Sequence, residues 1–215
     1  MKYQAVIFDL DGTLLDTLTD LWNAVNAACK KYGCAPRTRL QVRRALGNGL
    51  ERLLRLSLPE DMEENRFQAA FQFFRGYYLK HCDEETRPYE GIPELLRKLQ
   101  QKGIRLAIVS NKAHPAVREL RDRYFPETMQ VAIGESVEIR RKPAPDTVFK
   151  ALEELGIPKE QAVYVGDSEV DKKTADNAGM DCFLVTWGFR DRDELAALEP
   201  AALIDRPEQI LEKVV

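Results

Sequence analysis

Apolar residues follow two patterns along this chain, and the switch between them marks its organisation. Residues 4–9, Gln-Ala-Val-Ile-Phe-Asp, form a short unbroken run that stops at an acidic, glycine-containing turn, Asp9-Leu10-Asp11-Gly12-Thr13. A run this short reads as a buried strand rather than a helix. From about residue 17 the period becomes helical: Leu18, Leu21, Trp22, Val25 and Ala28 recur on one face, and Thr17 with Asp20 has the form of a capping box. Further helices are expected at about 39–46, 49–57 and 60–80, the first two separated by Gly47-Asn48-Gly49. No strand pattern interrupts this stretch. It reads as a small helical unit, with Phe67, Phe71, Phe73, Phe74, Tyr77 and Tyr78 as its core.

After Arg87-Pro88-Tyr89-Glu90-Gly91 the pattern alternates. A helix over 92–102 ends at Gly103; strand 105–109, helix 114–123, strand 130–133 and helix 145–155 follow, the last closed by Gly156. Strand 162–165, helix 169–178 before Gly179, strand 182–186 and a final strand–helix pair near 202–214 complete the chain. Strands alternating with helices imply crossover units and a parallel sheet. The expected fold class is α/β: a doubly wound, Rossmann-like core of residues 1–15 and 88–215, with a helical cap of residues 16–87 inserted after the first strand.

Composition narrows the function classes. The 215 residues carry 32 Lys plus Arg against 35 Asp plus Glu, a net charge of −3, so no general attraction for nucleic acid or an anionic membrane is expected. No apolar run approaches the roughly 20 residues of a membrane span, and the first residues lack the apolar stretch of a secretory signal, so a cytoplasmic location is expected. Cys29, Cys34, Cys82 and Cys182 lack zinc-site spacing, and the only histidines are His81 and His114. Any metal should be a hard cation held by oxygen.

Ligands of an open parallel sheet bind beyond the carboxyl ends of its strands. The residues just past each strand are therefore informative. The first strand ends in Asp9 and Asp11, the next in Ser110-Asn111, and strand 162–165 in Gly166-Asp167-Ser168 with Asp171 close behind; Lys142 comes after the strand near 131–133. Each has an ordinary structural role: Asp11-Gly12 as a turn pair, Ser168 to Asp171 as a capping box. Their joint placement at one sheet edge is harder to explain that way. Carboxylates a few ångströms apart repel by roughly 4 kcal/mol per pair at an effective dielectric of 20, so the fold must protonate some or bind a cation. With oxygen ligands, Mg²⁺ is the natural cation, and it suits phosphoryl transfer.

Phe8-Asp9-Leu10-Asp11-Gly12-Thr13-Leu14 resembles the first motif of the haloacid-dehalogenase-like hydrolases, Ser110-Asn111 the second and Lys142-Pro143 the third. Val165-Gly166-Asp167-Ser168-Glu169-Val170-Asp171 is similar to the fourth. The insertion after the first motif, with Asp16-Thr17, looks most like phosphoglycolate-phosphatase-type members. The resemblance implies that Asp9 attacks phosphorus to form an aspartyl-phosphate, and that Asp11 protonates the leaving alcohol and then takes a proton from water. It implies Mg²⁺ held by Asp9, the Asp11 backbone carbonyl and Asp167, with Asp171 fixing the metal's waters or Lys142. Ser110, Asn111 and the first loop would bind the phosphate, and Lys142 would neutralise charge. Arg44-Ala45-Leu46-Gly47-Asn48-Gly49 resembles the family's cap loop, and Arg44 suits a substrate carboxylate or second phosphate.

The function expected is hydrolysis of a small phosphorylated metabolite, 2-phosphoglycolate by default, by a monomer or homodimer. A phosphomutase resembling β-phosphoglucomutase and an inorganic pyrophosphatase are alternatives within the family. A receiver-like signalling module is the alternative from another class, disfavoured by the helical block after the first strand.

Overall fold

The computed structural model describes residues 2–215. The chain forms two compact units, one of Met1–Leu15 with Pro88–Val215, the other of Asp16–Arg87. Ala5–Phe8 (β1) is followed by the two-residue strand Leu15–Asp16 (β2) and four helices, Leu18–Lys31 (α1), Arg39–Ala45 (α2), Leu50–Ser57 (α3) and Glu64–His81 (α4). Arg87–Pro88 (β3) pairs with β2. Then come Ile92–Gln101 (α5), Arg105–Ala113 (β4), His114–Tyr124 (α6), Val131–Glu135 (β5) and Asp146–Leu155 (α7). Ala162–Gly166 (β6), Glu169–Ala178 (α8), Asp181–Val185 (β7), Arg192–Ala196 (α9), Ala202–Ile204 (β8) and Glu208–Val214 (α10) complete the chain.

The large sheet runs β5-β4-β1-β6-β7-β8, and every pairing is parallel. Its order reverses direction at β1, which lies between β4 and β6, and that is where a doubly wound sheet opens a crevice. Alternate residues explain why the strands read as unbroken apolar runs. Val6, Phe8, Leu106, Ile108, Val163 and Val165 share one core with Leu96 and Leu99 of α5, Val117 of α6 and Ile210 of α10. Ile7, Ala107, Val109, Ile133 and Leu184 face the other way, onto Val148 and Leu152 of α7 and Ala175 of α8. Both faces are covered, so no polar alternation survives in the sequence.

In the inserted unit α1 packs on α4 and α2. Phe67, Phe74 and Tyr78 are buried there, while Phe71, Phe73 and Tyr77 are half-exposed. The expected Thr17–Asp20 capping box does not form: Thr17 makes no side-chain cap. The Asp20 carboxylate instead accepts from the Glu85 amide at 3.0 Å, the Thr86 amide at 2.9 Å and the Thr86 hydroxyl at 2.8 Å. A genuine box caps α2, where Thr38 and Gln41 exchange bonds of 3.2 and 2.9 Å. Helix α4 begins at Glu64 rather than near residue 60, because Pro59 opens a turn closed by the Met62 amide. The second sheet strand outruns its expected end at residue 109, continuing irregularly through Ser110, Asn111 and Lys112. The short α9, which no apolar period announced, has its own box in Asp191 and Glu194. Among the described residues, no helix is long and apolar enough to cross a membrane.

Candidate active site

The carboxyl ends of β1, β4 and β6 carry the polar side chains. Asp9 follows β1 directly, its amide donating to the Val165 carbonyl at 2.8 Å, and is buried. The loop beyond it folds back tightly: the Leu14 and Leu15 amides both donate to the Leu10 carbonyl, at 3.0 and 2.9 Å. Gly12 turns with φ 94°, and a Cβ there would lie 2.4 Å from Asp167 Oδ2, so only glycine meets both demands.

Lys142 is the hub of the cluster. Its Nζ lies 2.6 Å from Asp9 Oδ1, 2.8 Å from Asp171 Oδ1 and 3.2 Å from the Tyr164 hydroxyl, and all four groups are buried. Asp171 accepts from Tyr164 at 2.9 Å, from the Ser168 hydroxyl at 2.6 Å and from the Asp167 amide at 3.1 Å. Ser168 also caps α8, accepting from the Asp171 amide. Thus the expected capping role and a site role coexist in one turn. The backbone of Lys142 is fixed by Asn111, whose side chain accepts from the Lys142 amide at 2.8 Å and donates to its carbonyl at 3.1 Å. The Lys142–Pro143 peptide is cis.

Burial and crowding set the charge states. Burial pushes the Asp9 carboxyl up to about 7, against the pull of Lys142 and with the push of Asp171. Burial, then the charges of Asp171 and Asp9, drive Asp167 well above the carboxylate range. Burial would raise Asp171 too, but the Lys142 charge and the bonds from Lys142, Ser168 and Tyr164 outweigh it and hold it low. Burial alone would discharge Lys142; Asp171 and Asp9 reverse this and keep it protonated. The Lys142–Asp171 pair is therefore the settled one, and Asp9 and Asp167 are the two carboxyl groups whose ionisation is opposed.

Oxygens of Asp9, Asp167 and Asp171 lie within 4.8 Å of one another, so three carboxyl groups share one ammonium, and ionising all of them would leave negative charge in excess. The bonds above engage Asp9 Oδ1 and both Asp171 oxygens, and the Phe189 amide donates to Asp167 Oδ2 at 2.6 Å. Asp9 Oδ2 and Asp167 Oδ1 are left to face a cation. A hard divalent ion fits both the charge and the all-oxygen donor set.

The other residues singled out in the sequence are placed differently. Ser110, buried at the end of β4, accepts from the Lys112 amide at 3.1 Å. The Asn111 amide is engaged with Lys142 rather than open to a ligand. The Asp11 carboxylate stands apart from the metal-competent trio and pairs with Lys112, at 3.0 Å. This leaves its backbone carbonyl for the metal role expected from the resemblance. Arg44 occupies the last turn of α2 in the inserted unit and is exposed. Lys112 and Tyr164 were not anticipated. Lys112 adjoins the Ser110-Asn111 pair, and Tyr164 carries a polar atom inside an otherwise apolar strand; both were visible signals.

The family model for haloacid dehalogenase-like hydrolases matches residues 6–185. The phosphoglycolate phosphatase of Pseudomonas syringae pv. tomato is 32% identical over 211 residues, spanning 93% of this chain and 75% of its own. The N-acetylmuramic acid 6-phosphate phosphatase of Pseudomonas aeruginosa is 28% identical over 217 residues, spanning 99% of this chain and 95% of its own. A candidate phosphoglycolate phosphatase from Lactobacillus delbrueckii subsp. bulgaricus, known from a crystal structure, superimposes with a TM-score of 0.94 at 36% identity, covering 100% of this chain and 99% of that one.

Proposed function

The chain belongs to the haloacid dehalogenase-like hydrolases and is a phosphatase of that family, and we propose that it hydrolyses a small, carboxylate-bearing phosphate monoester with Mg²⁺ through an aspartyl-phosphate on Asp9. The observation that carries the reading is the buried Asp9, held 2.6 Å from Lys142 in a cluster of three carboxyl groups around one ammonium.

The Asp9 carboxylate attacks phosphorus as the ester P–O bond breaks, and Asp11 gives its proton to the departing alkoxide. Water then attacks the phosphoryl group, Asp11 takes a proton from that water, and the Asp9–phosphorus bond breaks to release phosphate. Lys142 keeps its charge beside Asp9 throughout, which limits repulsion between the carboxylate and the incoming phosphate. Ser110 and the amides of the first loop bind phosphoryl oxygens. Asp171 and Asn111 hold the Lys142 ammonium and backbone in place. Asp9, Asp167 and the Asp11 carbonyl would hold Mg²⁺, which supplies positive charge for the phosphoryl oxygens.

The substrate class has separate support. The two named relatives act on phosphoglycolate and N-acetylmuramic acid 6-phosphate, and each of those esters carries a carboxylate. A guanidinium such as that of Arg44 can bind a carboxylate with two parallel bonds. The decisive experiment is a Mg²⁺-dependent turnover screen of phosphorylated metabolites against wild type, Asp9→Asn and Arg44→Ala. Asp9→Asn should be inactive while still folded, and Arg44→Ala should raise KM for acidic esters only. Turnover persisting in Asp9→Asn, or in wild type stripped by EDTA, rules the mechanism out.

A further inference from the structure

The segment that follows β7, Thr186-Trp187-Gly188-Phe189-Arg190, belongs to none of the motifs that identify the family, yet four of its residues meet the site. The Phe189 amide donates to Asp167 Oδ2 at 2.6 Å. The Trp187 indole donates to the Thr13 carbonyl of the first loop at 3.0 Å. Gly188 packs so closely that a Cβ would sit 2.4 Å from Asp167 Oδ2 and 2.5 Å from the Gly12 carbonyl. Arg190 grips Glu169, at the start of α8, with bonds of 2.7 and 2.9 Å. Loops from three strands, β1, β6 and β7, thus interlock around one carboxylate.

From this geometry we infer that residues 187–190 form a clamp that positions Asp167 for the metal, with Trp187 and Arg190 as positioning residues rather than catalytic ones. The Phe189 amide occupies one Asp167 oxygen and so fixes which oxygen faces Asp9. Trp187 ties the clamp to the loop that bears Asp11, so the ligands from β1 and β6 are held in mutual register. Arg190 anchors the far end to α8. Orienting partners of this kind set metal affinity without touching the ion. The inference rests on the Mg²⁺ reading above.

Isothermal titration with MgCl₂ tests it on the full chain. Trp187→Phe keeps the ring and deletes the indole donor, and Glu169→Gln weakens the Arg190 anchor. Each should weaken Mg²⁺ binding about 10–100-fold, the usual cost of losing an orienting partner, while the metal-free melting temperature changes little. A second readout is optical: the chain has two tryptophans, and Trp22 lies in the other unit. In a Trp22→Phe background, the emission of Trp187 should change on Mg²⁺ addition. Unchanged Mg²⁺ affinity in both Trp187→Phe and Glu169→Gln overturns the clamp while leaving the phosphatase reading intact. Affinity that falls only together with the metal-free melting temperature also overturns it, since that marks a merely structural segment. A wild type that binds no Mg²⁺ removes the reading beneath it instead.

Discussion

Lys112 Nζ lies 3.0 Å from Asp11 Oδ1 and 3.3 Å from Oδ2, with the lysine side chain 7% exposed and the aspartate 21%. The residue assigned as proton donor is therefore held by a nearly buried ammonium from the neighbouring strand. Asp11→Asn should reduce turnover of alkyl phosphates by about 10²–10⁴-fold, the usual worth of a positioned general acid. Lys112→Met should act through the same step and lower kcat about 10–100-fold, as loss of an orienting partner does elsewhere. Aryl phosphates, whose leaving groups need no proton, should suffer less in both variants. Equal losses for alkyl and aryl esters would contradict the acid assignment.

The metal-free protein should lose stability with rising pH through Asp9. Its carboxyl stands at about 7 against an ordinary 3.8, so the folded state binds that proton more tightly than the unfolded chain does. Ionisation then works against the fold: the cost is absent below about pH 4, grows up to pH 7 and is complete above it. Asp9→Asn removes the cost. Melting temperatures measured in EDTA should therefore diverge between variant and wild type as pH climbs from 4 to 8, the variant becoming the more stable. Saturating MgCl₂ should raise wild type and narrow the gap. A gap that stays constant with pH would refute this account of Asp9.

Lys142 stabilises the cluster as well as serving the chemistry. Its side chain is 4% exposed between Asp9 and Asp171. Removing one partner of a buried pair typically costs about 3–5 kcal/mol because it strands the other's charge. Urea unfolding of Lys142→Met should show a loss of that order, and adding Asp171→Asn should recover part of it. Additive losses in the double variant would argue that the two residues are not coupled.

In the inserted unit, Asp20 joins residues far apart in the chain, and its carboxylate is 2% exposed. Asp20→Ala would remove the acceptor of the buried Thr86 amide, at about 1–3 kcal/mol, and that of the partly buried Glu85 amide at less. Hydrogen exchange at Glu85 and Thr86 should accelerate in that variant before exchange in β1 does. Unaltered protection there would show that the contacts do not contribute.

How much was legible depends on the range of each interaction. Strands and helices of the core were readable because covering both sheet faces makes every strand position apolar, as with Val6 against one layer and Ile7 against the other. The polar residues beyond the strands were readable because topology, not distance along the chain, gathers them. Failures came where two partners compete for one side chain. Asp20 has the spacing of a cap for Thr17, but stronger donors 65 and 66 residues on take it instead. Asn111 looked available for a ligand, and the Lys142 peptide, 31 residues away, claims its amide. Lys112 escaped notice because its partner is 101 residues distant.

The pairing of β2 with β3 has a consequence for how such a chain can diversify. Adjacent strands run about 4.8 Å apart, and the Tyr89 amide donates to the Leu14 carbonyl at 3.1 Å, so the two cut ends of the sheet-bearing unit are neighbours. A few glycines could join residue 15 to residue 88, giving up only the Asp16 and Arg87 halves of β2 and β3 and leaving the six-stranded sheet as it is. The helical insert can thus be lengthened or replaced over generations at one point of the chain, changing the residues it offers a substrate while the sheet keeps its strand order.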